Sequence, residues 1–191
     1  MRLTIYSAEL AKTEADFINF WSEQWTEKDK QKDRQFYEPH IGQPLSSEGL
    51  LNLFEWKNQT PLSEKKRARV LAFINQLDDL RQLPKNTDAA AFLKRFSHGG
   101  AIWRIFLLHC WSQSVGDTKY PIYDQHVHRA MAVVRESKLE EIVGWNDDQK
   151  IDAYLNRYIP FFGKFNTDKP QKLDQALMIF GRFAKNYRFP S

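Results

Sequence analysis

The sequence predicts an all-α fold of eight to ten helices. Apolar residues recur at helical spacing along nearly all of the 191 residues, and only the first six, M1-R-L-T-I-Y6, have the character of a strand. Hydrophobic residues make up 42% of the chain and aromatic residues 14%, which is sufficient for a packed core and argues against disorder. The length fits one domain, or one bilobal domain, over residues 1–191.

The first two helices are predicted from an aromatic stripe and from a capping residue. Residues 14–25 carry aromatic side chains on one broad face. Residues 46–57 begin with Ser46, a favourable N-cap. Between these segments, residues 26–35 form a run of charges. We interpret that run as a solvated loop or a frayed helix end in preference to a DNA contact.

A third helix is predicted over residues 63–77, with Ser63 as its N-cap. Its buried face is expected to consist of Val70, Leu71, Ile74 and Leu77. Its first two turns hold a cluster of basic residues, Lys65, Lys66, Arg67 and Arg69. Positive charge at the start of a helix is unfavourable beside the helix dipole, which sometimes marks a binding surface, although a solvated face is the more common explanation.

The middle of the chain predicts a helix buried at the centre of the fold. A helix over residues 88–96 is followed by the pair Gly99 and Gly100, and the segment 102–111 is then apolar nearly all round. A helix without a polar face is typically surrounded by other helices.

The last helices are predicted from breakers and apolar spacing. One helix runs from about residue 147 to residue 159 and is expected to stop at Pro160. Another is expected to start near Pro170 and to continue to residue 185.

Charge and cysteine content limit the classes of partner and compartment. The net charge of +4 is mildly basic, which permits an anionic partner such as nucleic acid without requiring one. Cys110 is the single cysteine, so the chain has neither an internal disulfide framework nor a four-cysteine cluster, and a reducing cytoplasm is expected. We expect no signal peptide, because the first 14 residues lack a long apolar segment, and no membrane contact, because no apolar run reaches about 18 residues.

Asp124 lies where a loop enters a helix, in the segment Y120-P-I-Y-D-Q-H-V-H-R-A-M131. The apolar residues that follow it at helical spacing predict one buried face, formed by Val127, Ala130, Met131 and Val134. Asp124 is the natural N-cap, whose carboxylate accepts hydrogen bonds from backbone N–H groups of the first turn. Such a cap stabilises a helix by about 1 kcal/mol and favours the ionised carboxylate.

The positions of the histidines after Asp124 and of the single cysteine do not favour metal or thiol chemistry. His126 and His128 are two residues apart, so on a helix they point to different sides, whereas a shared metal prefers a spacing of three or four. Cys110 follows His109 in sequence but lies about 100° away around the helix axis, which favours a small core residue over a nucleophile. We therefore predict no metal and no cofactor.

The order of parts from Gly99 to Met131 resembles the helix-hairpin-helix DNA glycosylases, the superfamily of endonuclease III and of the alkylpurine and 8-oxoguanine glycosylases. In that family a glycine-bearing hairpin, a buried apolar helix, a loop and a Val-Asp-x-His segment follow one another. The corresponding segments here are S97-H-G-G-A101, I102-W-R-I-F-L-L-H-C-W111 and I122-Y-D-Q-H-V-H-R-A130. Asp124, His126 and Arg129 fall where the family commonly has Asp, His and Arg.

The resemblance implies an α-helical glycosylase-like domain that acts on double-stranded DNA with the target base flipped out of the stack. Asp124 would be the catalytic carboxylate, which stabilises the positive charge that develops on deoxyribose and orients a water molecule. The implied contacts to DNA are His98, Gly99, Gly100 and Arg104, with Lys65, Lys66 and Arg67 as weaker candidates. The implied base pocket consists of Trp103, Tyr123 and His126, with core packing as the alternative for Trp103 and Tyr123.

Two departures from the family pattern refine the expected activity. The Leu-Pro-Gly-x-Gly hairpin is reduced to Gly99-Gly100, and the position of the strand-cleaving lysine is occupied by Ile102, Trp103 and Arg104. Arginine stays protonated and cannot form the Schiff base, so the resemblance implies a monofunctional glycosylase without lyase activity. The alternatives are a non-catalytic nucleic-acid-binding protein of the same fold and an α-helical interaction module without a nucleic-acid partner.

Overall fold

The computed structural model describes residues 13–186, and the short strand predicted at M1-R-L-T-I-Y6 lies outside this range. The described part of the chain contains eleven α-helical segments, two π-helical turns and no strand, which make ten helices when each π-helical turn is joined to its neighbours and residues 147–162 are counted as one continuous helix. The prediction of an all-α fold with eight to ten helices is therefore confirmed.

The chain divides into two compact units, which are described separately. Unit 1 comprises Met1–Thr26 and Pro121–Ser191, and unit 2 comprises Glu27–Tyr120. The helices of unit 1 are α1 (Glu14–Glu23), α8 (Gln125–Glu136), α9 (Asp147–Asp152) with the π-helical turns Ala153–Tyr158, α10 (Ile159–Phe162) and α11 (Pro170–Ala184). The helices of unit 2 are α2 (Glu27–Lys32) with the π-helical turn Asp33–Tyr37, α3 (Ser47–Asn58), α4 (Glu64–Ile74), α5 (Leu77–Arg81), α6 (Ala89–Arg95) and α7 (Ala101–Ser114).

The core of unit 2 is built around α7, which is buried from Arg104 to Ser112 without interruption, as its all-round apolar sequence predicts. Phe54 of α3 lies at the centre of an aromatic group. Its ring stacks on Phe73 of α4 at 5.6 Å and on Trp103 of α7 at 5.0 Å between centroids. These contacts hold three helices of unit 2 together through side chains that are distant in sequence.

The core of unit 1 is built on α11, which packs against both α1 and α8. Phe180 of α11 meets Phe17 of α1 edge to face, with ring centroids 5.5 Å apart. Toward α8, Gly181 lies directly against the backbone of His126, and a Cβ atom at this glycine would be 1.9 Å from the His126 carbonyl oxygen. Only glycine therefore fits where these two helices meet.

The buried face of α4 differs from the prediction at Leu71, which is 43% exposed. The helix buries a narrow stripe that consists of Val70 and Phe73, and Leu77 continues the stripe on α5. Ile74 is half-buried. Leu71 lies about 100° around the axis from Val70, outside this stripe.

The charged segment 26–35 is a helix for most of its length, so its interpretation as a loop is wrong. Helix α2 has no buried residue, as a solvated segment should, and Glu27 pairs with Lys30 at 2.8 Å on its surface. The π-helical turn that follows buries Asp33, whose Oδ1 accepts a hydrogen bond of 2.7 Å from the indole of Trp56. A carboxylate can be buried in this way because a donor from α3 satisfies it.

Pro160 does not end its helix, contrary to the prediction. The π-helical turns Ala153–Tyr158 run directly into α10, where Pro160 occupies the first turn. A residue in the first turn of a helical segment has no obligatory N–H partner, so proline is tolerated there. Helix α11 begins at Pro170 as predicted.

Among residues 13–186, no helix combines the length and the apolar character that crossing a membrane would require.

Candidate functional site

Asp124 begins helix α8 in unit 1 and caps it as the sequence predicts. Its Oδ1 accepts hydrogen bonds from the backbone N–H of His126 at 2.8 Å and of Val127 at 3.2 Å. The backbone at Asp124 is extended, and the side chain is half-buried. Two backbone donors thus fix the direction of this carboxylate, and hydrogen bonds of this kind favour the ionised form.

Three tyrosines form a cluster close to the segment that leads into Asp124. Tyr123, Tyr154 and Tyr158 are each fully buried, and the ring of Tyr123 lies 5.4 Å from that of Tyr154 and 5.1 Å from that of Tyr158. The hydroxyl of Tyr154 donates to the carbonyl oxygen of Pro121 at 3.2 Å. This tyrosine cluster therefore fixes the backbone that presents Asp124.

His128 connects the tyrosine cluster to a group of charges. Its Nδ1 lies 2.7 Å from the hydroxyl of Tyr123, and its Nε2 lies 3.1 Å from Oε2 of Glu140. Because a carboxylate can only accept, Nε2 donates and Nδ1 accepts from the tyrosine. Burial lowers the pKa of His128, although the Glu140 carboxylate opposes this effect, and the neutral ring satisfies both partners.

Arg157 completes this arrangement on the far side of Glu140. Its guanidinium makes two hydrogen bonds to that carboxylate, at 2.6 Å to Oε2 and 3.2 Å to Oε1. These bonds hold the pKa of Glu140 below its usual range. The chain Tyr123–His128–Glu140–Arg157 is thus a continuous hydrogen-bonded network beside the start of α8.

Arg129 joins three elements of unit 1. It is buried, and its guanidinium binds the Glu141 carboxylate through Nε at 2.7 Å and Nη2 at 2.8 Å. Its Nη1 donates to the carbonyl oxygen of Gly181 at 2.6 Å and lies 3.2 Å from Nδ1 of His126. Arg129 therefore holds α11 and the loop after α8 against the helix that Asp124 begins.

The hairpin predicted to meet DNA lies between α6 and α7 in unit 2. Gly99 adopts φ +80°, a left-handed conformation that favours glycine, and a Cβ there would lie 3.4 Å from the Phe73 ring. Gly100 precedes α7 as its N-cap, and both glycines are half-exposed. His98 is exposed beside them. The hairpin before this 14-residue helix is therefore partly exposed, whereas Ala101, the first residue of the helix, is buried.

Of the basic residues predicted on α4, Lys65 and Arg67 are exposed. Lys66 is half-buried, and its ammonium donates to the side-chain oxygen of Asn58. Lys65 and Arg67 are thus the members of the predicted set whose charges face solvent in unit 2.

Two predicted residues of unit 2 have packing roles. Arg104 is 8% exposed and donates to the carbonyl oxygen of Leu93 at 3.4 Å, so its charge is not presented for a phosphate. Trp103 is half-buried with its ring stacked on Phe54. In unit 1, Tyr123 is fully buried and bonded to His128, whereas His126 is half-buried.

The pair His109 and Cys110 is part of the unit 2 core. His109 is bonded on both sides, with Nδ1 2.8 Å from the carbonyl oxygen of Tyr120 and Nε2 2.9 Å from the hydroxyl of Tyr37. Burial lowers the pKa of His109 to about 4 and raises the pKa of the Cys110 thiol, so neither is ionised near neutral pH. Within residues 13–186, no group of three His, Cys, Asp or Glu side chains is arranged to hold a metal ion.

Sequence reasoning did not identify Glu140, Arg157 or Tyr158, which lie 16 to 34 residues after Asp124. No local motif marks these residues, because each meets the start of α8 only through the fold of unit 1. Comparison of the chain with protein-family models, with curated proteins and with solved structures found no match.

Proposed function

We propose that this protein is a monofunctional DNA glycosylase, which hydrolyses the bond between deoxyribose and a damaged or modified base. The setting of Asp124 carries the proposal. Asp124 is half-buried, its carboxylate accepts from two backbone N–H groups, and the helix that it begins is buried all round from Val127 to Val134, not along one face as its apolar spacing predicts. This is the position that the resemblance to helix-hairpin-helix glycosylases gives to the catalytic carboxylate. We expect the activity in the cytoplasm.

The chemistry needs a fixed negative charge beside the sugar. When the glycosidic bond breaks, its electron pair leaves with the base, which takes up a proton, and positive charge develops on the deoxyribose. A water oxygen then bonds to the sugar carbon and loses a proton, which Asp124 is suited to accept. Because two N–H donors stabilise the ionised form of Asp124, electrostatic stabilisation is expected to be the larger part of its role.

Unit 2 supplies features suited to binding duplex DNA with a flipped base. Glycines 99 and 100 are half-exposed in the hairpin before α7, where a phosphate would approach, and His98 is exposed beside them. Lys65 and Arg67 present positive charge to solvent. Since phosphate contacts dominate the affinity for DNA, these residues would provide binding without sequence preference.

The test is an assay of base release with the Asp124→Asn variant. Asparagine is also a good N-cap, so this change removes the charge and keeps the helix start. Asp88→Asn is a matched control, because Asp88 caps α6 by accepting from the N–H of Ala91 at 2.9 Å. Both variants and the wild type are incubated with duplexes that carry damaged or modified bases, and abasic sites are revealed with alkali.

We expect the wild type and Asp88→Asn to release a base, and Asp124→Asn to be slower by at least about 100-fold. Strands should break only after the alkali treatment, as a monofunctional enzyme requires. Equal rates for Asp124→Asn and the wild type would contradict the role of Asp124. Binding of duplex DNA without base release would favour the non-catalytic nucleic-acid-binding protein, and no binding at low salt would favour the helical interaction module.

A further inference from the structure

His128 bonds to both of the residues that lead into helix α8. Its backbone N–H donates to the carbonyl oxygen of Asp124 at 3.0 Å, the first backbone bond of the helix, and its Nδ1 accepts from the Tyr123 hydroxyl at 2.7 Å. Both His128 and Tyr123 are fully buried. Because Tyr123 and Asp124 are adjacent, these two bonds and the peptide between the residues form a closed ring that holds the start of α8.

Glu140 determines which ring nitrogen of His128 accepts. Its Oε2 lies 3.1 Å from Nε2 of His128, and Arg157 donates to both oxygens of the same carboxylate, at 2.6 Å and 3.2 Å. A carboxylate bound to an arginine only accepts, so Nε2 carries the ring proton and the lone pair of Nδ1 is left for Tyr123. The ring of Trp145 meets that of His128 edge to face, with centroids 5.2 Å apart, which restricts its rotation.

A helix cap alone does not require a network of this kind, as the aspartate that caps α6 shows. Asp88 is exposed, and the hydroxyl of the preceding residue, Thr87, donates to the Pro84 carbonyl oxygen at 2.7 Å within the same turn. Before Asp124 the preceding residue is instead a fully buried tyrosine, which is bonded to a buried histidine and through it to an ion pair. Buried polar networks are costly to assemble, which points to a second role at Asp124.

We propose that His128 is a positioning residue, which keeps the Asp124 carboxylate in the direction that base release requires by accepting the hydrogen bond of Tyr123. The inference rests on the proposed function, because it takes Asp124 as the group that stabilises charge on the sugar. Such a carboxylate must keep its place while the bond breaks, and a displacement of about 1 Å can lower a rate by about 100-fold. His128 is buried and acts only through Tyr123 and the backbone.

The first test measures the ring nitrogens of His128 and does not depend on activity. Nuclear magnetic resonance of the full chain with ¹⁵N-labelled histidine, at neutral pH, distinguishes a protonated from an unprotonated ring nitrogen. We expect a proton on Nε2 and none on Nδ1 of His128. A proton on Nδ1 would overturn the proposal, because Tyr123 would then have no lone pair of His128 to bond.

Hydrogen exchange tests whether the Tyr123 bond holds the carboxylate. The N–H groups of His126 and Val127 donate to Asp124, so their exchange reports its direction. Tyr123→Phe should accelerate their exchange by about tenfold relative to amides in the middle of α11. The matched control is Tyr37→Phe, which removes the same kind of bond from the buried His109 of unit 2 and should leave these amides unchanged. Equal exchange in both variants would overturn the proposal.

Kinetics separate positioning from a general loss of structure. Tyr123→Phe should lower kcat by about tenfold with KM unchanged, whereas Tyr37→Phe should retain the wild-type kcat. Should Tyr123→Phe fail to fold, two substitutions of His128 provide the same comparison. The oxygen of His128→Asn can accept from Tyr123 in place of Nδ1, whereas the amide of His128→Gln can donate to Glu140 in place of Nε2.

We expect His128→Asn to lose at most about threefold in kcat and His128→Gln to lose about tenfold. Equal losses in the two variants would overturn the proposal, because a purely structural role does not distinguish the two ring nitrogens. If the wild type releases no base, the proposed function fails. The ring-nitrogen and hydrogen-exchange measurements then decide by themselves whether His128 positions Asp124.

Discussion

The two units differ in how they carry charge. Unit 2 contains 15 Lys and Arg against 11 Asp and Glu, whereas unit 1 contains 13 of each, so the whole net charge of +4 resides in unit 2. In unit 1 two arginines near Asp124 form ion pairs with carboxylates of the same unit, Arg129 with Glu141 and Arg157 with Glu140. The comparison indicates that unit 2 suits an anionic partner and that unit 1 is organised around its own carboxylates.

The buried histidines of the two units share one kind of partner and differ in the other. Each accepts a hydrogen bond from a tyrosine hydroxyl, Tyr37 for His109 in unit 2 and Tyr123 for His128 in unit 1. The opposite nitrogen of His109 donates to a backbone carbonyl, whereas that of His128 donates to the Glu140 carboxylate. A carboxylate can stabilise the protonated ring and a carbonyl does so far less, so unit 2 should be the more sensitive to acid.

Acid provides the largest test of this difference. The pKa of His109 is about 4 in the folded chain and about 6.5 when unfolded, so between these values the unfolded state binds more protons. The free energy of unfolding of unit 2 therefore has its full contribution from neutral His109 above pH 6.5. It should fall by roughly 3 kcal/mol as the pH drops to 4. Chemical denaturation followed across this range measures the slope.

The control for the acid experiment separates His109 from other groups. His109→Gln should remove most of the slope between pH 6.5 and 4, and His98→Gln, which changes an exposed histidine of the same unit, should leave it unchanged. An undiminished slope in His109→Gln would show that the acid sensitivity arises elsewhere.

Gly181→Ala should disrupt unit 1 selectively. The added Cβ would meet the His126 carbonyl oxygen at 1.9 Å, which forces α11 away from α8 and weakens the Arg129 bond to residue 181. We expect a loss of about 2–3 kcal/mol, because overpacking at a backbone contact is hard to relieve. Hydrogen exchange resolved by residue should show faster exchange in α8 and α11 with little change in α7.

Gly163→Ala is the matched control for this variant in unit 1. A Cβ there would lie 3.4 Å from the carbonyl oxygen of Ile159, a contact that a small shift relieves. Similar losses for both variants would indicate that the effect reflects helix content and not the contact between α8 and α11.

The smallest expected effect concerns the DNA binding that we propose for unit 2. Replacing Lys65 and Arg67 by glutamine should weaken binding to duplex DNA by roughly fivefold. The affinity should also depend less on salt, with the magnitude of the slope of log affinity against log salt reduced by up to about 2. The control replaces two exposed lysines of unit 1, Lys172 and Lys185, and should change the slope less. Equal changes in both double variants, measured by a salt titration, would remove the assignment of DNA binding to unit 2.

Local sequence signals predicted the parts of the fold that depend on a few consecutive residues. Ser46 and Asp124 each cap the helix that follows, since a cap bonds to N–H groups two or three positions ahead, whereas Ser63 begins α4 as predicted but makes no side-chain cap bond. The burial of α7 was also predictable, because a helix without a polar face has no side that water can cover. Asp124 is recognisable from sequence for the same local reason.

The parts of the fold and of the candidate site that the sequence did not predict depend on contacts between residues distant in sequence. Leu71 has the apolar character of a core residue, but the neighbours that cover α4 reach only the stripe of Val70 and Phe73. In the sequence Asp33 is one of many charges in residues 26–35, and no local feature indicates the hydrogen bond that Trp56, 23 residues later, donates to it. Tyr158 has no sequence feature that connects it to Tyr123, since tertiary packing alone brings the centroids of the two rings to 5.1 Å from each other.

The close approach of Gly181 to His126 defines a pattern that can be sought in other sequences. The approach requires glycine at one position, and Arg129, 52 residues earlier, donates to the carbonyl oxygen of that glycine. An aspartate five residues before the arginine then begins the helix. Any relative that keeps this helix crossing should therefore show Asp, Arg and Gly at these spacings, allowing for loop insertions. Such a three-residue fingerprint would distinguish true relatives from proteins that share only the helical composition.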